Sequence, residues 1–340
     1  AEALGNSLIN LVIHDQDAGL GGRILLTFGK RNQNLSLPWN RLRNGSPVIL
    51  SEEGKAKSEG WRGIVSRAQR DSIQVAFDQW PEADAPSTTF RLDRSTDEIG
   101  RLRQRQAMDK ASGAKSSRLA MLRDVLLAKQ TASFEKVETH QALDQKLNDS
   151  QNQAVAFALS ANDVAIIHGP PGTGKTTTLV ELMRHITRNG QSVLAVAASN
   201  LAVDNMLEHL LGAGEKALRL GHPARVSPEL REHTLDLLVE KHPDVKFARK
   251  LTRGARALKD QSFKTTRSTL HAEPNAREAI RQEAKDMLRE ARKIEEGVIE
   301  RVLNGARIVC ATSTGLDNEI LNGRIFDWCI MDEASQSTEP

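Results

Sequence analysis

The stretch that most constrains this chain runs from Val164 to Ile186, VAIIHGPPGTGKTTTLVELMRHI. It opens with a short apolar run, Val164 to Ile167, of the kind a buried strand makes. The run breaks into Gly169-Pro170-Pro171-Gly172-Thr173-Gly174-Lys175-Thr176, which satisfies G-x-x-x-x-G-K-[ST] in the strand–loop–helix setting that pattern requires. A segment with helical spacing follows, with Leu179, Leu182, Met183 and Ile186 on one face. Glycines let the backbone curl so that successive N–H groups point inward at a phosphate, and the helix starting near Thr176 adds its positive end. Gly169 to Thr177 is therefore a candidate nucleotide site, with Lys175 directed at the β- and γ-phosphates and Thr176 at Mg²⁺. A plain Gly-rich turn would leave Lys175 and the tight glycine spacing unexplained.

Composition sets wide limits. A chain of 340 residues is enough for about two or three domains. With 39% hydrophobic and 27% charged residues it can bury substantial cores, and no run approaches the roughly 18 apolar residues of a membrane span. The first residues, AEALGNSLINLVI, lack the basic region and cleavage pattern of a signal peptide. Cys310 and Cys329 each sit in an apolar run, as reduced core residues of an intracellular protein do, in the cytoplasm or, in a eukaryote, also the nucleus. Net charge is only +3, so partners must be read from local charge. The chain has no initiator Met and stops at Pro340, shortly after an acidic motif, so a segment of a longer protein is expected.

Residues 1–95 read as a small β-barrel or sandwich. Ser7–Ile13, Gly22–Phe28, Pro47–Leu50, Trp61–Ser66, Ser72–Phe77 and Thr89–Leu92 are short β-prone runs punctuated by Gly, Asn, Asp and Pro. The segment has no His/Cys cluster and no nucleophile–base pair, which suits an accessory module. Trp61, Phe77 and Trp80 fit core packing better than base stacking. Residues 96–130 read as a helical stalk, interrupted near Gly113, with eight Lys/Arg against four Asp/Glu between Asp97 and Lys129. A solvated face and a stalk beside a polyanion both fit that excess.

Past a polar connection, Gln151 opens a helical run just ahead of the phosphate loop. There its amide is a candidate adenine reader, able to present donor and acceptor together. Ser192 to Ala197 forms a second buried strand ending in Ser199 and Asn200, where open α/β sheets bind ligands. Ser199 fits either a phosphate contact or a helix cap. Residues 228–303 are helical and highly charged. Lys246 to Arg267 carries eight Lys/Arg against one acid, with Lys246, Arg249, Lys250, Arg253 and Arg256 in one basic stripe. Arg307–Ala311 and Phe326–Met331 are further strands. The first ends in Thr312-Ser313-Thr314-Gly315 and the second in Asp332-Glu333-Ala334-Ser335-Gln336. Beside a phosphate loop, such an Asp-Glu suits metal-assisted phosphoanhydride hydrolysis, with Asp332 at the metal and Glu333 at the attacking water.

In this order Gln151, GPPGTGKT, SNLAVDN (199–205), TSTG (312–315) and DEASQ (332–336) resemble the Q-motif and motifs I, Ia, Ic and II of superfamily 1 helicases, in the Upf-like branch. GLGGRILLTF (19–28) and RLGHPAR (219–225) are especially similar to the immunoglobulin mu-binding helicase type. The resemblance implies an α/β fold: a RecA-like P-loop parallel sheet at residues 140–340 with a helical insertion at 228–303, preceded by the β-barrel and stalk. It implies a monomeric motor that couples Mg-ATP hydrolysis to 5′-to-3′ movement on single-stranded DNA or RNA. Gln151 would read adenine; Lys175, Thr176, Asp332, Glu333 and Gln336 would serve phosphate, metal, water and γ-phosphate alignment; Ser199, Asn200, Thr312 and Thr314 would touch the nucleic-acid backbone. No second RecA-like domain, motif III or arginine finger follows Pro340, so this segment is expected to bind nucleotide weakly and hydrolyse it poorly. Two rival readings are an AAA+ remodeller of proteins, which does not account for Gln151 or SNLAVDN, and a non-enzymatic nucleic-acid-binding segment switched by nucleotide. A GTPase is disfavoured because no Asn-Lys-x-Asp guanine reader is present.

Overall fold

The computed structural model describes residues 4–18, 23–32, 35–53, 60–77, 88–95, 98–137, 141–268, 274–316 and 318–337. Within these, the chain divides into two compact units. One holds Ala1–Asp97, His222–Arg225 and Leu235–Leu303; the other holds Glu98–Gly221, Val226–Thr234 and Asn304–Pro340.

The first unit is built on a closed antiparallel barrel. Its strands are β1 (Ser7–Ala18), β2 (Ile24–Lys30), β3 (Pro47–Glu52), β4 (Trp61–Ala68), β5 (Ser72–Phe77) and β6 (Phe90–Arg94), in the order β1-β2-β5-β4-β3-β6. All six match runs expected from sequence, and closure decides for the barrel over the sandwich. Alternate residues turn inward, as the two-residue period of a strand demands: Leu26 and Phe28, Val48 and Leu50, Ile73, Val75 and Phe77, Phe90 and Leu92 are all buried. Phe28 meets Phe77 and Phe90 edge-on, with centroids 6.3 and 5.8 Å apart. Phe77 is thus a core residue and Trp61 packs against the same core, while Trp80 lies outside the described residues.

The same unit holds helices α6 (Leu235–Lys241), α7 (Pro243–Ser268) and α8 (Pro274–Gly305, all but Asn304 and Gly305), numbered after five helices of the other unit. Arg23 reaches Asp236 of α6 at 3.2 Å. Val245, Ala248 and Ala255 form the buried face of α7, and Ala284 and Ala291 that of α8. Lys246, Lys250 and Arg253 are exposed, whereas Arg249 turns to Glu240 at 2.9 Å. The basic stripe therefore survives with one member partly neutralised. The Arg256 side chain lies outside the described residues.

The second unit begins with α1 (Glu98–Gly113) and α2 (Arg118–Leu126), broken where Gly113 suggested. Ser117 caps α2, and Arg123 donates to the carbonyls of Ala111 and Ala114 at the end of α1. Then come α3 (Asp149–Leu159), α4 (Lys175–Arg188), β7 (Val193–Ala197), α5 (Asn200–Gly212), β8 (Ala217–Arg219), β9 (Ile308–Thr312) and β10 (Trp328–Asp332). The strands form a parallel sheet, order β10-β7-β9-β8. VLAVA and IVCAT are near-continuous apolar runs because a parallel strand covered on both faces has no wet side.

Two expectations need correcting. Val164–Ile167 is not a strand: it joins no ladder among the described residues, and Ile166 is 79% exposed. Ala165 and Ile167 do pack on the core, so the alternation is real although the pairing is lacking. Cys329 is exposed on β10, which pairs only β7 among the described residues; Cys310 on the interior strand β9 is buried, and burial pushes its thiol up to about 12. Both thiols are free. No helix among the described residues is long and apolar enough to cross a membrane.

Candidate nucleotide and nucleic-acid site

Parallel pairing puts all strand ends of one sense on one edge. Here the register aligns Asp332 with Ala197 and Ala197 with Thr312. The residues following three strands thus collect on one row: Ser199 and Asn200 after β7, Thr314 after β9, and Glu333 and Gln336 after β10.

The phosphate loop meets this row directly. Thr176 Oγ1 donates to Asp332 Oδ2 at 3.1 Å, although the two residues are far apart in sequence. Asp332 is only 5% exposed, and its Oδ1 accepts the Glu333 amide at 2.9 Å. Gly172 and Gly174 both take φ of +80°, a left-handed backbone that only glycine adopts readily, and this curls the loop. At Gly174 a Cβ would fall 2.5 Å from Gln151 Nε2, so the absence of a side chain also admits the glutamine. Lys175 Nζ folds back onto the carbonyls of Gly169 and Pro170, at 2.8 and 3.0 Å, and Thr173 Oγ1 donates to Pro170 O. Pro171 and Thr177 complete the loop and the first turn of α4.

Gln151 has structural bonds of its own. Its Oε1 accepts the Asn148 amide at 2.9 Å, the reciprocal half of a capping box on α3. Its Nε2 donates to Thr173 O at 3.1 Å, tying α3 to the phosphate loop. Ser199 likewise caps α5, accepting from the Ala202 amide at 3.1 Å. Glu333 sits in left-handed backbone, φ 51°, with its side chain exposed, as is that of Gln336.

A polar seam behind the row escaped the sequence reading. Arg219, 1% exposed, donates to Asp204 Oδ1 at 3.1 Å and to Asn200 Oδ1 at 2.8 Å. Asp204 Oδ2 accepts the amide and hydroxyl of Ser227, at 2.8 and 3.0 Å. With its oxygen held by Arg219, the Asn200 amide has its NH₂ group left to donate. Arg103 of α1 donates to Thr314 O at 2.9 Å, so one stalk cation braces a candidate nucleic-acid loop. Arg118 pairs with Asp163 at 2.7 Å; hydrogen bonds from Ser133 and then from Arg118 hold that carboxyl down at about 2. Arg103, Arg118 and Arg123 thus serve internal bonds. Only the motif strings SNLAVDN and RLGHPAR, which contain Asn200, Asp204 and Arg219, pointed towards the seam.

Thr176 and Asp332 offer adjacent hard oxygen donors, the set Mg²⁺ takes from a protein while substrate phosphates and water fill its other positions.

Together, a glycine-curled loop at a helix start and an acidic strand end bonded to it define a P-loop nucleotide-binding protein. Residues 146–340 match a family described as an AAA domain, and residues 2–93 match the helicase SMUBP-2/HCS1 1B domain. The chain belongs to this AAA-domain family, whose model covers more than half of it, and its barrel is similar to the SMUBP-2/HCS1 1B domain. It is 32% identical over 348 residues to DNA-binding protein SMUBP-2 of Rattus norvegicus, covering 99% of this chain and 34% of that protein. It is 29% identical over 353 residues to the DNA polymerase alpha-associated DNA helicase A of Schizosaccharomyces pombe, covering 99% and 52%. An uncharacterized ATP-dependent helicase of Methanocaldococcus jannaschii is 28% identical over 374 residues, covering 100% and 55%. The chain spans between about a third and a little over half of the length of these relatives.

Proposed function

We propose that this chain carries the ATP site and part of the strand-contacting surface of a helicase or translocase moving 5′-to-3′ on single-stranded nucleic acid. On this reading residues 140–340 are a first RecA-like domain with its insertion at 228–303, residues 1–95 the accessory barrel and 96–130 the stalk. The observation that carries the proposal is the Thr176–Asp332 bond, which joins the phosphate loop to the acidic strand end on the row shared by Asn200 and Thr312. The relatives named as helicases and the DNA in their names support the class and make single-stranded DNA the first substrate to test, with RNA alongside.

The residues act as follows. Backbone N–H groups of the curled loop and the start of α4 receive the phosphates. Lys175 exchanges the Gly169 and Pro170 carbonyls for phosphate oxygens. The Gln151 amide, now on Thr173 O, would exchange that carbonyl for the adenine edge. Thr176 and Asp332 would hold Mg²⁺, which would supply charge neutralisation at the phosphates. Glu333 takes the proton of the attacking water, and Gln336 aligns the γ-phosphate region. Ser199, Asn200, Thr312 and Thr314 contact the strand backbone, and α7 adds longer-range attraction that weakens with salt.

Glu333→Gln in the complete protein tests the catalytic assignment. DNA-stimulated ATP turnover should fall about 100-fold or more, with ATP affinity kept. Unchanged turnover would exclude Glu333 as the base, and unchanged biological activity without turnover would favour the nucleotide-switch reading.

A further inference from the structure

Trp39 is the most exposed aromatic side chain among the described residues, with 67% of its surface open. Its setting fixes it in place. The six-membered ring lies against Gly5, whose φ of +68° and missing side chain permit the approach; a Cβ there would fall 2.5 Å from Trp39 Cζ3. The Arg41 amide donates to Gly5 O at 2.7 Å, holding the two segments together. Asn40 stiffens the turn: its Nδ2 donates to Pro38 O at 3.0 Å and its Oδ1 accepts the Leu42 amide at 3.1 Å. Leu37 and Leu42 anchor the segment in the barrel core.

One cation stands over the ring and two more lie along the same segment. The Arg41 guanidinium carbon stands 5.7 Å from the Trp39 centroid. Trp39, Arg41 and Arg43 occupy alternate, exposed positions, and neither arginine is ion-paired among the described residues. At the end of the segment Arg225, also exposed, donates through Nε to Gly45 O at 2.9 Å. An indole with Arg41 over one face and 67% of its surface open pairs a flat apolar face with positive charge. That combination complements a single strand, whose bases have π-faces and whose phosphates are anionic. An apolar protein partner would have no use for the exposed guanidinium groups of Arg41 and Arg43.

We propose that Trp39, with Arg41 and Arg43, is a contact for single-stranded nucleic acid on the barrel. One base stacks on the indole and the arginines meet flanking phosphates. Because Gly5 already holds the ring, little side-chain freedom is lost on binding. The proposal extends the single-strand reading above to a surface that takes no part in ATP chemistry.

The test is binding of a labelled oligothymidine to the 340-residue chain, followed by fluorescence anisotropy. Trp39→Ala should weaken binding at least about five-fold, and Trp39→Phe should recover most of the loss. The melting temperature should stay close to that of the parent, since the side chain is largely exposed. On an abasic strand of equal length the parent and Trp39→Ala should bind alike, because no base is there to stack. Equal affinity of parent and Trp39→Ala for oligothymidine would overturn the proposal and leave the patch as a protein docking face. Failure of Trp39→Phe to recover binding would also overturn it. If the parent binds no single strand, this proposal and the single-strand reading fall together, whereas loss of ATP turnover alone would leave both standing.

Discussion

The barrel and the parallel sheet solve one problem in opposite ways. Each must pair its strands and hide an apolar face. The barrel does so by closing, so that β1 pairs β6 and no strand edge is left open. Its strands run antiparallel, which sends successive ends to opposite rims and scatters whatever follows them. The sheet stays open and parallel, and its strand ends meet on one row. The core cluster around Phe28 is apolar, with Ser7, Ser51 and Glu52 the buried polar residues of the barrel strands, while the sheet unit buries the Arg219–Asp204 ion pair behind its strand-end row. Concentrating polar function at one edge thus comes with ion pairs in the interior, each needing complete partners.

The largest expected effect breaks that contrast on the sheet side. Arg219→Met removes one partner of a buried pair and leaves Asp204 with only the Ser227 donors. It should cost about 4 kcal/mol of unfolding free energy, read by denaturant titration, and should weaken oligonucleotide binding through Asn200. A variant as stable as the parent would mean that the seam is dispensable. Next, Phe28→Ala on the barrel side should cost about 3 kcal/mol through a cavity, with nucleotide affinity unchanged. Loss of nucleotide binding would show that the two units are not energetically separable.

The smallest effect sharpens the comparison through pH. Burial first, then the charges of Arg23 and Arg225, lowers His222 to about 4 from 6.5. Between these values the unfolded chain binds the proton and the folded chain does not, so stability is full above pH 6.5 and is lost as pH falls towards 4. The loss is at most about 3 kcal/mol, since the ring is partly exposed. His222→Gln should flatten the melting temperature over that window; an unchanged slope would assign it to other groups.

Much of this was legible in the sequence because it is local. The phosphate loop carries its glycines, lysine and threonine in one string, and the barrel strands announce themselves by alternation, as in SIQVAF. The stalk break at Gly113 and the Asp332-Glu333 strand end are local too. What stayed hidden depends on neighbours distant in sequence. Val164–Ile167 has the composition of a strand, but a strand also needs a ladder, and composition cannot supply one. Arg219 looks like any surface arginine until Asp204 and Asn200 close around it. Trp39 counts as one more hydrophobic residue until Gly5 and Arg41 show which way it faces. Gln151 was found by its position, and only the coordinates showed that its amide already holds Thr173.

Neighbouring strands β8 and β9 are joined in chain order by Leu220 to Arg307, yet they pair in register at Ala217–Ile308, Leu218–Val309 and Arg219–Cys310. Separation along the chain therefore sets nothing about the row on which the motifs stand; the hydrogen-bond ladder does. Beyond Thr234 a connection of this kind can lengthen, shorten or acquire new helices without moving the strand-end row, provided Ser227 still meets Asp204 and the chain returns to the same rungs. That makes the later part of the β8–β9 crossover a sensible place at which to graft a reporter domain.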